Sequence, residues 1–260
     1  MPEGDTVWRA ARSLERALSG QVLTASDFRV PELATVDLSG ETVVETLARG
    51  KHLLTRIGDE HTLHTHLKME GSWHVYRPAD RWKRPAHQAR VVLTTDAHRA
   101  VGFSLGIVEL LPRDREDDAV GHLGPDLLGP DWDPAEAVRR LLATPDRPIG
   151  EALLDQRNLA GIGNMYKAEL CFIAGVHPVT PVGEVPDLLR MVRRAKSMLE
   201  LNKERAEQTT TGDLRRGARM WVYRRERETC RRCQTPIAVE MHGEAGRERA
   251  SYWCPSCQPR

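Results

Sequence analysis

Hydrophobic residues recur at helical spacing within the first twenty positions of the chain. Positions three or four residues apart predict one buried helix face, formed by Val7, Ala10, Ala11, Leu14, Ala17 and Leu18. Asp5 or Thr6 is the expected N-cap, and Ser19 and Gly20 are the expected end of the helix. The pattern therefore predicts an amphipathic helix near the start of the chain.

Between residues 21 and 111 the pattern changes to short runs in which apolar and polar residues alternate. Gly, Pro and Asp separate these runs, as they do where turns join the strands of a sheet. The predicted strands are 42–47, 52–57, 62–67, 89–94 and 107–111. Because successive strand residues point to opposite faces, such alternation indicates strands with one buried face, and it predicts a β-sandwich.

A segment rich in Gly, Pro and Asp separates this strand-like part of the chain from a helical part. Its sequence, GHLGPDLLGPDWDP at 121–134, favours turns and interrupts helices. Helical periodicity then continues to about residue 207, whereas 208–217 (QTTTGDLRRG) lacks it and predicts a mobile surface loop. A domain boundary is therefore expected at 121–134.

The charge of the whole chain says little about its partners. The 260 residues include 38 Lys and Arg against 37 Asp and Glu, so a polyanion site would need a local concentration of basic residues. No stretch approaches the roughly 18 apolar residues of a membrane helix, and no signal-like apolar segment is present. We expect a soluble, cytoplasmic protein without a membrane partner, and a monomer, since nothing indicates an oligomer.

Four of the five cysteines form two pairs at the spacing of a zinc site. Cys230 and Cys233 are one C-x2-C pair, and Cys254 and Cys257 follow after twenty intervening residues. Two such turns can close a tetrahedron of thiolates, which leaves no open position and makes the predicted Zn²⁺ structural. Cys171 lies in an apolar helical run and is a predicted core residue.

Arginines are concentrated just before this cysteine-rich segment and within it. Clustered arginines can bind a polyanion, although they are also common on solvated surfaces. The cluster comprises Arg215, Arg216, Arg219, Arg224, Arg225, Arg227, Arg231 and Arg232. Residues 248–253 predict a short strand that returns to the second cysteine pair, and Arg249 is expected to project from that hairpin.

The sequence begins Met-Pro-Glu-Gly, so removal of Met1 would expose the amine of Pro2. An unperturbed α-amino group has a pKa of about 7.7 to 8.0, so much of it is nucleophilic near neutrality. The positive end of the predicted helix would lower that pKa, and Glu3 could transfer a proton at the same centre. Pro is common after Met, however, and the only role of Glu3 could be a favourable charge interaction with the positive end of the helix. These residues alone therefore do not establish a function.

Four separated motifs resemble, in the same order, those of the formamidopyrimidine-DNA glycosylase and endonuclease VIII family. The first is Pro2-Glu3-Gly4, and the second is 49–54 (RGKHLL), which resembles the family's strand with the catalytic lysine. The third is 156–166 (QRNLAGIGNMY), which resembles the helix-two-turn-helix signature, and the fourth is the four-cysteine finger. The resemblance covers essentially the whole chain.

This resemblance implies a bifunctional DNA glycosylase and apurinic/apyrimidinic (AP) lyase, with damaged DNA as its partner. Pro2 would attack C1′ of a flipped-out nucleotide, and Glu3 would supply the proton that opens the sugar. Lys51 would carry protons and contact phosphate during β- and δ-elimination. Arg249 would clamp the phosphates that flank the flipped nucleotide.

The same resemblance places four further residues at the DNA. Met69 would fill the space left by the flipped base, although strand alternation could equally make it a core residue. Asn164 would donate its amide to the DNA backbone, unless it only caps a helix. Lys68 and His122 lie where endonuclease VIII relatives carry DNA-contacting residues. Three histidines on a strand pattern without an accompanying carboxylate or cysteine are assigned structural or polar-face roles rather than a metal site: His61, His64 and His66.

One segment departs from the formamidopyrimidine branch of the family. That branch wedges an Arg-Arg-Phe-Gly segment into the opposite strand, whereas 103–109 here is FSLGIVE. The departure favours the endonuclease VIII branch and oxidised pyrimidines, with Leu105 as a partial wedge. Two alternatives stay open: the same chemistry on oxidised purines such as 8-oxoguanine, and a non-catalytic protein that only binds lesions or single-stranded DNA.

Pattern and resemblance together predict an α+β multidomain fold. The expected parts are a catalytic N-terminal helix and β-sandwich at 1–120, a linker at 121–134, a helix-two-turn-helix DNA-binding domain at 135–220, and a β-hairpin zinc finger at 221–260.

Overall fold

In the computed structural model, which describes residues 2–243, 246 and 248–260, the chain divides into two units. The N-terminal unit is Met1–His122 and the C-terminal unit is Leu123–Arg260, so the boundary falls inside the predicted linker. A finer division of the C-terminal unit stays a prediction. Within the described residues, every helix is too short or too polar to cross a bilayer.

Helix α1 (Gly4–Leu18) opens the N-terminal unit. Its apolar face is buried as the spacing predicts, and Ser19 is the C-cap. The expected N-cap at Asp5 or Thr6 is wrong, because the helix begins two residues earlier with Glu3 in the N-cap position. Asp5 lies in the first turn, where its negative charge interacts favourably with the positive end of the helix dipole.

Two antiparallel sheets of four strands form the predicted sandwich. The strands are β1 (Ala25–Phe28), β2 (Val43–Arg49), β3 (His52–Ile57), β4 (His61–His66), β5 (Ser72–Tyr76), β6 (Ala89–Thr94), β7 (Arg99–Phe103) and β8 (Ile107–Pro112). One sheet has the order β1-β6-β7-β5, and the other β2-β3-β4-β8. The alternation pattern does not predict β1, β5 and β7; in β7 four consecutive residues are buried, so no alternation exists to detect.

The core of the N-terminal unit forms where α1 packs on the sheets. Leu14 and Leu18 of α1 share one buried cluster with Leu53 of β3, Leu63 of β4 and Val91 of β6. Because alternate residues of β3 and β4 are committed to this core, the residues between them face the other side of their sheet. After β8, the short helix α2 (Asp117–Val120) leads to the end of the unit.

The C-terminal unit contains a helical core and a two-stranded hairpin. Its helices are α3 (Pro134–Leu142), α4 (Ile149–Leu154), α5 (Asn164–Ala174) and α6 (Leu188–Asn202), and its hairpin strands are β9 (Ala238–His242) and β10 (Arg249–Trp253). Helix α5 is buried along most of its length, because α4, α6 and the hairpin strand β10 pack against it. The helices confirm the periodicity predicted after residue 134.

Candidate active site and metal centre

Pro2 and Glu3 lie immediately before the first turn of α1. Pro2 is half-buried, whereas Glu3 is 0 % exposed and its carbonyl oxygen accepts a hydrogen bond from the Val7 amide at 3.0 Å. Both residues therefore stand at the positive end of the helix dipole. A secondary amine beside a buried carboxyl can form a covalent bond to carbon while the carboxyl exchanges a proton.

Lys51 occupies the two-residue turn between β2 and β3 rather than the strand itself. Arg49 pairs with His52 across this hairpin, and Gly50 adopts a φ of +58°. A positive φ in such a turn suits glycine, because it has no Cβ to clash with the backbone. Burial, followed by the charges of Lys68 and Lys51, lowers the pKa of His66 to about 4. The charge of Lys51 thus acts on the neighbouring strand β4.

The loop between β4 and β5 carries Lys68 and Met69. Met69 is 56 % exposed, so the alternative that it is a core residue is wrong. Lys68 has a φ of +50°, and its backbone N–H donates to His66 Nδ1 at 2.9 Å. Its side chain lies against Gly106, where an added Cβ would overlap it. The loop therefore presents an exposed apolar side chain next to a cation.

His122 and Leu105 differ in their exposure to solvent. His122 is exposed at the end of the N-terminal unit, and its ring centroid lies 6.2 Å from that of His52. Leu105 is only 7 % exposed and belongs to the core cluster. Its predicted role as a partial wedge is therefore wrong, since a side chain packed in the core cannot enter a base stack.

In the C-terminal unit, the predicted helix-two-turn-helix motif is formed by α4, a closed turn and α5. The side chain of Gln156 holds this turn from within: its Nε2 donates to the carbonyl oxygens of Leu154 and Ile162, at 2.8 and 3.0 Å. Its Oε1 accepts the Gly161 N–H at 3.0 Å, and Gly161 has a φ of +112°. The turn brings the backbone to the N-terminus of α5, a place suited to an anion.

Asn164 is the first residue of α5, and it links that helix to the hairpin. Its Nδ2 donates to the Ala250 carbonyl oxygen at 2.8 Å, while its buried Oδ1 has no partner within the described residues. Gly163 is the N-cap, so Asn164 does not simply cap the helix. Arg249 precedes Ala250 and is exposed, and it forms no ion pair with the part of the chain that is described. The structure thus brings the strand of Arg249 to Asn164.

The four paired cysteines converge at one point. All four sulfurs lie within 4.8 Å of one another, and the closest pairs are Cys233–Cys254 at 3.3 Å, Cys233–Cys257 at 3.5 Å and Cys230–Cys257 at 3.9 Å. A tetrahedral Zn²⁺ with bonds of about 2.3 Å requires sulfur separations of about 3.8 Å. Hydrogen bonds from Thr235 lower the pKa of Cys233 to about 6. The donor set and its spacing therefore fit a structural metal.

Cys171 is separate from this cluster. It is 0 % exposed, and burial raises its pKa to about 12, which confirms the prediction of a core residue.

Part of the arginine cluster stabilises the fold itself. Arg215 pairs with Asp213, Arg219 with Glu207, and Arg225 with Glu228. The guanidinium of Arg232 lies 4.4 Å from the Phe172 ring centroid, a cation–π contact. The polyanion site predicted from the whole cluster is therefore smaller than the composition indicates.

Two buried charged residues on α5 have structural contacts that sequence reasoning does not single out. The Glu169 carboxylate accepts the backbone N–H groups of Trp221, Val222 and Tyr223, each at 2.8 Å, and the Thr210 hydroxyl. Lys167, which is 2 % exposed, donates from Nζ to Ser251 Oγ at 2.7 Å. The only signal in the sequence is that they are charged positions inside an apolar helix.

Family models match both units of the chain. Residues 1–104 match the formamidopyrimidine-DNA glycosylase N-terminal domain, and residues 123–211 match the H2TH domain of the same enzymes. The chain therefore belongs to the formamidopyrimidine-DNA glycosylase and endonuclease 8 family.

Curated relatives locate the chain within that family. It is 56 % identical to a probable endonuclease 8 2 of Streptomyces coelicolor, over 99 % of this chain and 94 % of that one. It is 53 % identical to the DNA-(apurinic or apyrimidinic site) lyase Nei2 of Mycolicibacterium smegmatis, over 99 % of each chain. A relative from Synechococcus named formamidopyrimidine-DNA glycosylase is 33 % identical. These identities confirm the predicted endonuclease VIII branch.

Solved structures confirm the fold. A Lactococcus lactis Fpg in complex with DNA that contains an abasic site superposes with a TM-score of 0.81, covers 100 % of both chains and is 22 % identical. The predicted combination of a β-sandwich, a helix-two-turn-helix motif and a cysteine-bearing hairpin is therefore the architecture of this chain.

Proposed function

We propose that this protein is a bifunctional DNA glycosylase and AP lyase that removes oxidised bases, with pyrimidines preferred. The observation that carries the proposal is the arrangement of Pro2 and Glu3, an amine-bearing residue and a fully buried carboxyl at the N-terminus of α1. Relatives named as endonucleases 8 and as an AP-site lyase support the same class of reaction.

The first stage of the reaction breaks the bond between base and sugar. After Met1 is removed, the Pro2 nitrogen attacks C1′ of a nucleotide that has been flipped out of the duplex. Glu3 supplies the proton that opens the sugar, the base leaves, and an iminium remains between Pro2 and C1′. Met69, exposed on its loop, fills the space left in the base stack.

The second stage cuts the DNA strand. The iminium withdraws electrons and acidifies the C2′ proton, so that β-elimination releases the 3′ phosphate and δ-elimination then releases the 5′ phosphate. Lys51 carries protons and contacts phosphate in these steps. Arg249, exposed at the start of β10, clamps the flanking phosphates, because a guanidinium can bind phosphate through two parallel hydrogen bonds.

The remaining groups bind DNA and maintain the fold. Lys68, His122 and Asn164 contact the DNA backbone near the lesion. The four thiolates would hold a Zn²⁺ that cross-links the hairpin and takes no part in the reaction, since four cysteines leave no open coordination position.

Borohydride trapping tests the covalent step. The purified protein, with Met1 removal verified by mass spectrometry, is mixed with a duplex that contains 5-hydroxycytosine and then reduced. We expect one protein–DNA adduct, located at Pro2 by peptide mapping. Two residues placed between Met1 and Pro2 should abolish the adduct, whereas the same two residues added after Arg260 should not. An adduct that survives the N-terminal extension would contradict the proposal.

The same assay separates the alternatives. Duplexes with thymine glycol, 5-hydroxycytosine or 8-oxoguanine are compared under single-turnover conditions, and we expect the two pyrimidine lesions to be cut faster. Equal or faster cutting of 8-oxoguanine would favour the purine-type enzyme. Lesion binding without an adduct or a strand break would favour a non-catalytic binding protein.

A further inference from the structure

Three polar side chains form a hydrogen-bonded chain across strands β3, β4 and β8. His52 Nδ1 lies 2.8 Å from His64 Nε2, and His64 Nδ1 lies 3.0 Å from Glu109 Oε2. The strand register explains the contact: His64 is directly opposite Glu109, and His52 is opposite His66, two residues along the same face. This face lies opposite the one that Leu53 and Leu63 bury in the core.

The two contacts determine which nitrogens carry protons. An ionised carboxylate only accepts hydrogen bonds, so His64 must carry its proton on Nδ1. In a neutral imidazole the other nitrogen then accepts, so His64 Nε2 receives the Nδ1–H of His52. The remaining nitrogen, His52 Nε2, is left with an available lone pair. A carboxylate that orients one imidazole, which in turn orients a second, is the arrangement by which proteins prepare a proton acceptor.

The two ends of this chain face different surroundings. Glu109 has 54 % of its side chain exposed, so its carboxyl group is in contact with water, whereas His64 in the middle is 2 % exposed. No residue within 2–243, 246 and 248–260 hydrogen-bonds to His52 Nε2, and that atom is not among the buried unpaired ones. The His52 end is thus open to a partner.

The open end lies beside the groups assigned to the elimination steps. The ring centroids of His52 and His66 are 5.0 Å apart, and Lys51, which directly precedes His52, acts electrostatically on His66. Burial, followed by the charges of His66, His64, His122 and Lys68, lowers the pKa of His52 to about 3. His52 is therefore neutral near pH 7.

We propose that His52, His64 and Glu109 are a proton relay that connects the Lys51 segment with bulk water during strand cleavage. The inference rests on the proposed lyase function and deepens it. β-Elimination breaks the C2′–H and C3′–O bonds, and the proton removed from C2′ must leave the site before the next elimination. The relay gives that proton a path to water through His52, His64 and Glu109, so the bound DNA need not leave first.

Protons balance along the relay. One proton binds at His52 Nε2, the proton on His52 Nδ1 moves to His64 Nε2, and the proton on His64 Nδ1 moves to Glu109 Oε2. Glu109 then releases one proton to water. Ring rotation of the two imidazoles then restores their starting tautomers, so the net result is one proton carried outward without any change in oxidation state.

Substitution by the amide side chain of glutamine distinguishes a proton relay from a purely structural role. In His64→Gln the amide can accept from His52 Nδ1–H and donate to Glu109, so the contacts persist, but it cannot exchange one proton for another. Glu109→Gln likewise accepts from His64 but cannot take up a proton. His61→Gln is the matched control, since His61 is on the same strand and, by alternation, on the opposite face.

The assay uses a duplex with a preformed AP site, so that base removal does not contribute. Single-turnover strand cleavage and borohydride trapping are measured in parallel. We expect both relay variants to cleave at least about tenfold more slowly while they form the adduct at the wild-type rate. Added imidazole buffer should restore their cleavage, because a small proton carrier can replace the relay, and it should leave the wild type and H61Q unchanged.

Wild-type cleavage by H64Q and E109Q, or a loss that imidazole does not restore, would overturn the relay. So would a defect in His64→Leu that H64Q does not share, since that result would show that only the position of His52 matters. Absence of an adduct in the wild type would instead contradict the lyase function itself, so the two failures are distinguishable.

Discussion

Glu109 in the N-terminal unit and Glu169 in the C-terminal unit use the same functional group in opposite ways. Glu169 is 0 % exposed, and its carboxylate accepts three backbone N–H groups and a hydroxyl. Glu109 has a half-exposed side chain, and its carboxylate contacts the imidazole of His64. A buried carboxylate that accepts several hydrogen bonds from the chain stabilises a fold, whereas one that is exposed at the end of a hydrogen-bonded chain can exchange a proton.

The difference follows from the secondary structure around each residue. In the sheet β2-β3-β4-β8, backbone groups pair with one another, so side chains on the face away from the core remain available for other contacts. Residues 209–223 of the C-terminal unit contain no strand or regular helix, and their backbone groups need partners from side chains. Glu169 and Asn202 provide these partners. Glu169 is therefore used by the fold itself, whereas Glu109 remains available for the proposed relay.

Removal of the metal should produce the largest change in the C-terminal unit. Structural zinc binding contributes on the order of 10 kcal/mol in small domains, and the hairpin has a small core of its own. We expect Cys254→Ala to contain no zinc by elemental analysis, to become sensitive to proteolysis within 221–260, and to lose specific DNA binding. Cys171→Ala removes a cysteine of the same unit outside the cluster, and it should keep one zinc per chain. Zinc loss in both variants would contradict the assignment.

Removal of the Glu169 carboxylate should have the next largest effect. Glu169→Ala leaves three buried N–H groups without an acceptor, and we expect it to lower the free energy of unfolding by about 3–5 kcal/mol. Urea denaturation measures the change. Glu184→Ala, at an exposed position of the same unit, should remain within about 0.5 kcal/mol of the wild type. A similar cost for both would show that Glu169 has no special role.

Loss of the ion pair between Arg56 and Glu116 in the N-terminal unit should have the smallest effect on the free energy of unfolding, and this effect should depend on pH. Hydrogen bonds from Arg56, opposed by burial and aided by Thr62, hold the pKa of Glu116 below its usual value of 4.5. A lowered folded-state pKa means that the stabilisation is complete above pH 4.5 and declines as the pH falls through the folded-state pKa. We expect Glu116→Gln to cost about 1–2 kcal/mol at pH 7 and less at pH 4, by urea denaturation. A difference that is constant with pH would contradict this origin.

Much of the secondary structure could be predicted from the chain. The periodicity of 3.6 residues locates α1 and predicts the helical region after residue 134, and alternation gives β3 and β6 with correct bounds. The N-cap of α1 and the strands β1, β5 and β7 could not be predicted in this way. Short or doubly buried strands show no alternation, and a helix can begin without a capping side chain when other groups satisfy its first turn.

Some features of the candidate site could likewise be predicted from the sequence, and others could not. The spacing of the cysteine pairs and the start Pro2-Glu3 are local features, so sequence alone was sufficient to identify them. The exposure of Met69 and the burial of Leu105 depend on neighbours distant in the sequence. Only the fold therefore shows that Met69 is exposed enough to enter a base stack and that Leu105 is a core residue.

Local patterns determined the class of fold, the predicted metal ligands and the predicted nucleophile. Each single pattern, such as a helical period, a C-x2-C pair or Pro2-Glu3, spans only a few positions. The tertiary structure alone placed His52, His64 and Glu109 in one hydrogen-bonded chain and Glu169 beneath residues 221–223. These contacts join residues 12, 45 and more than 50 positions apart. Strand register and helix packing create them, and neither leaves a periodic signal in the sequence.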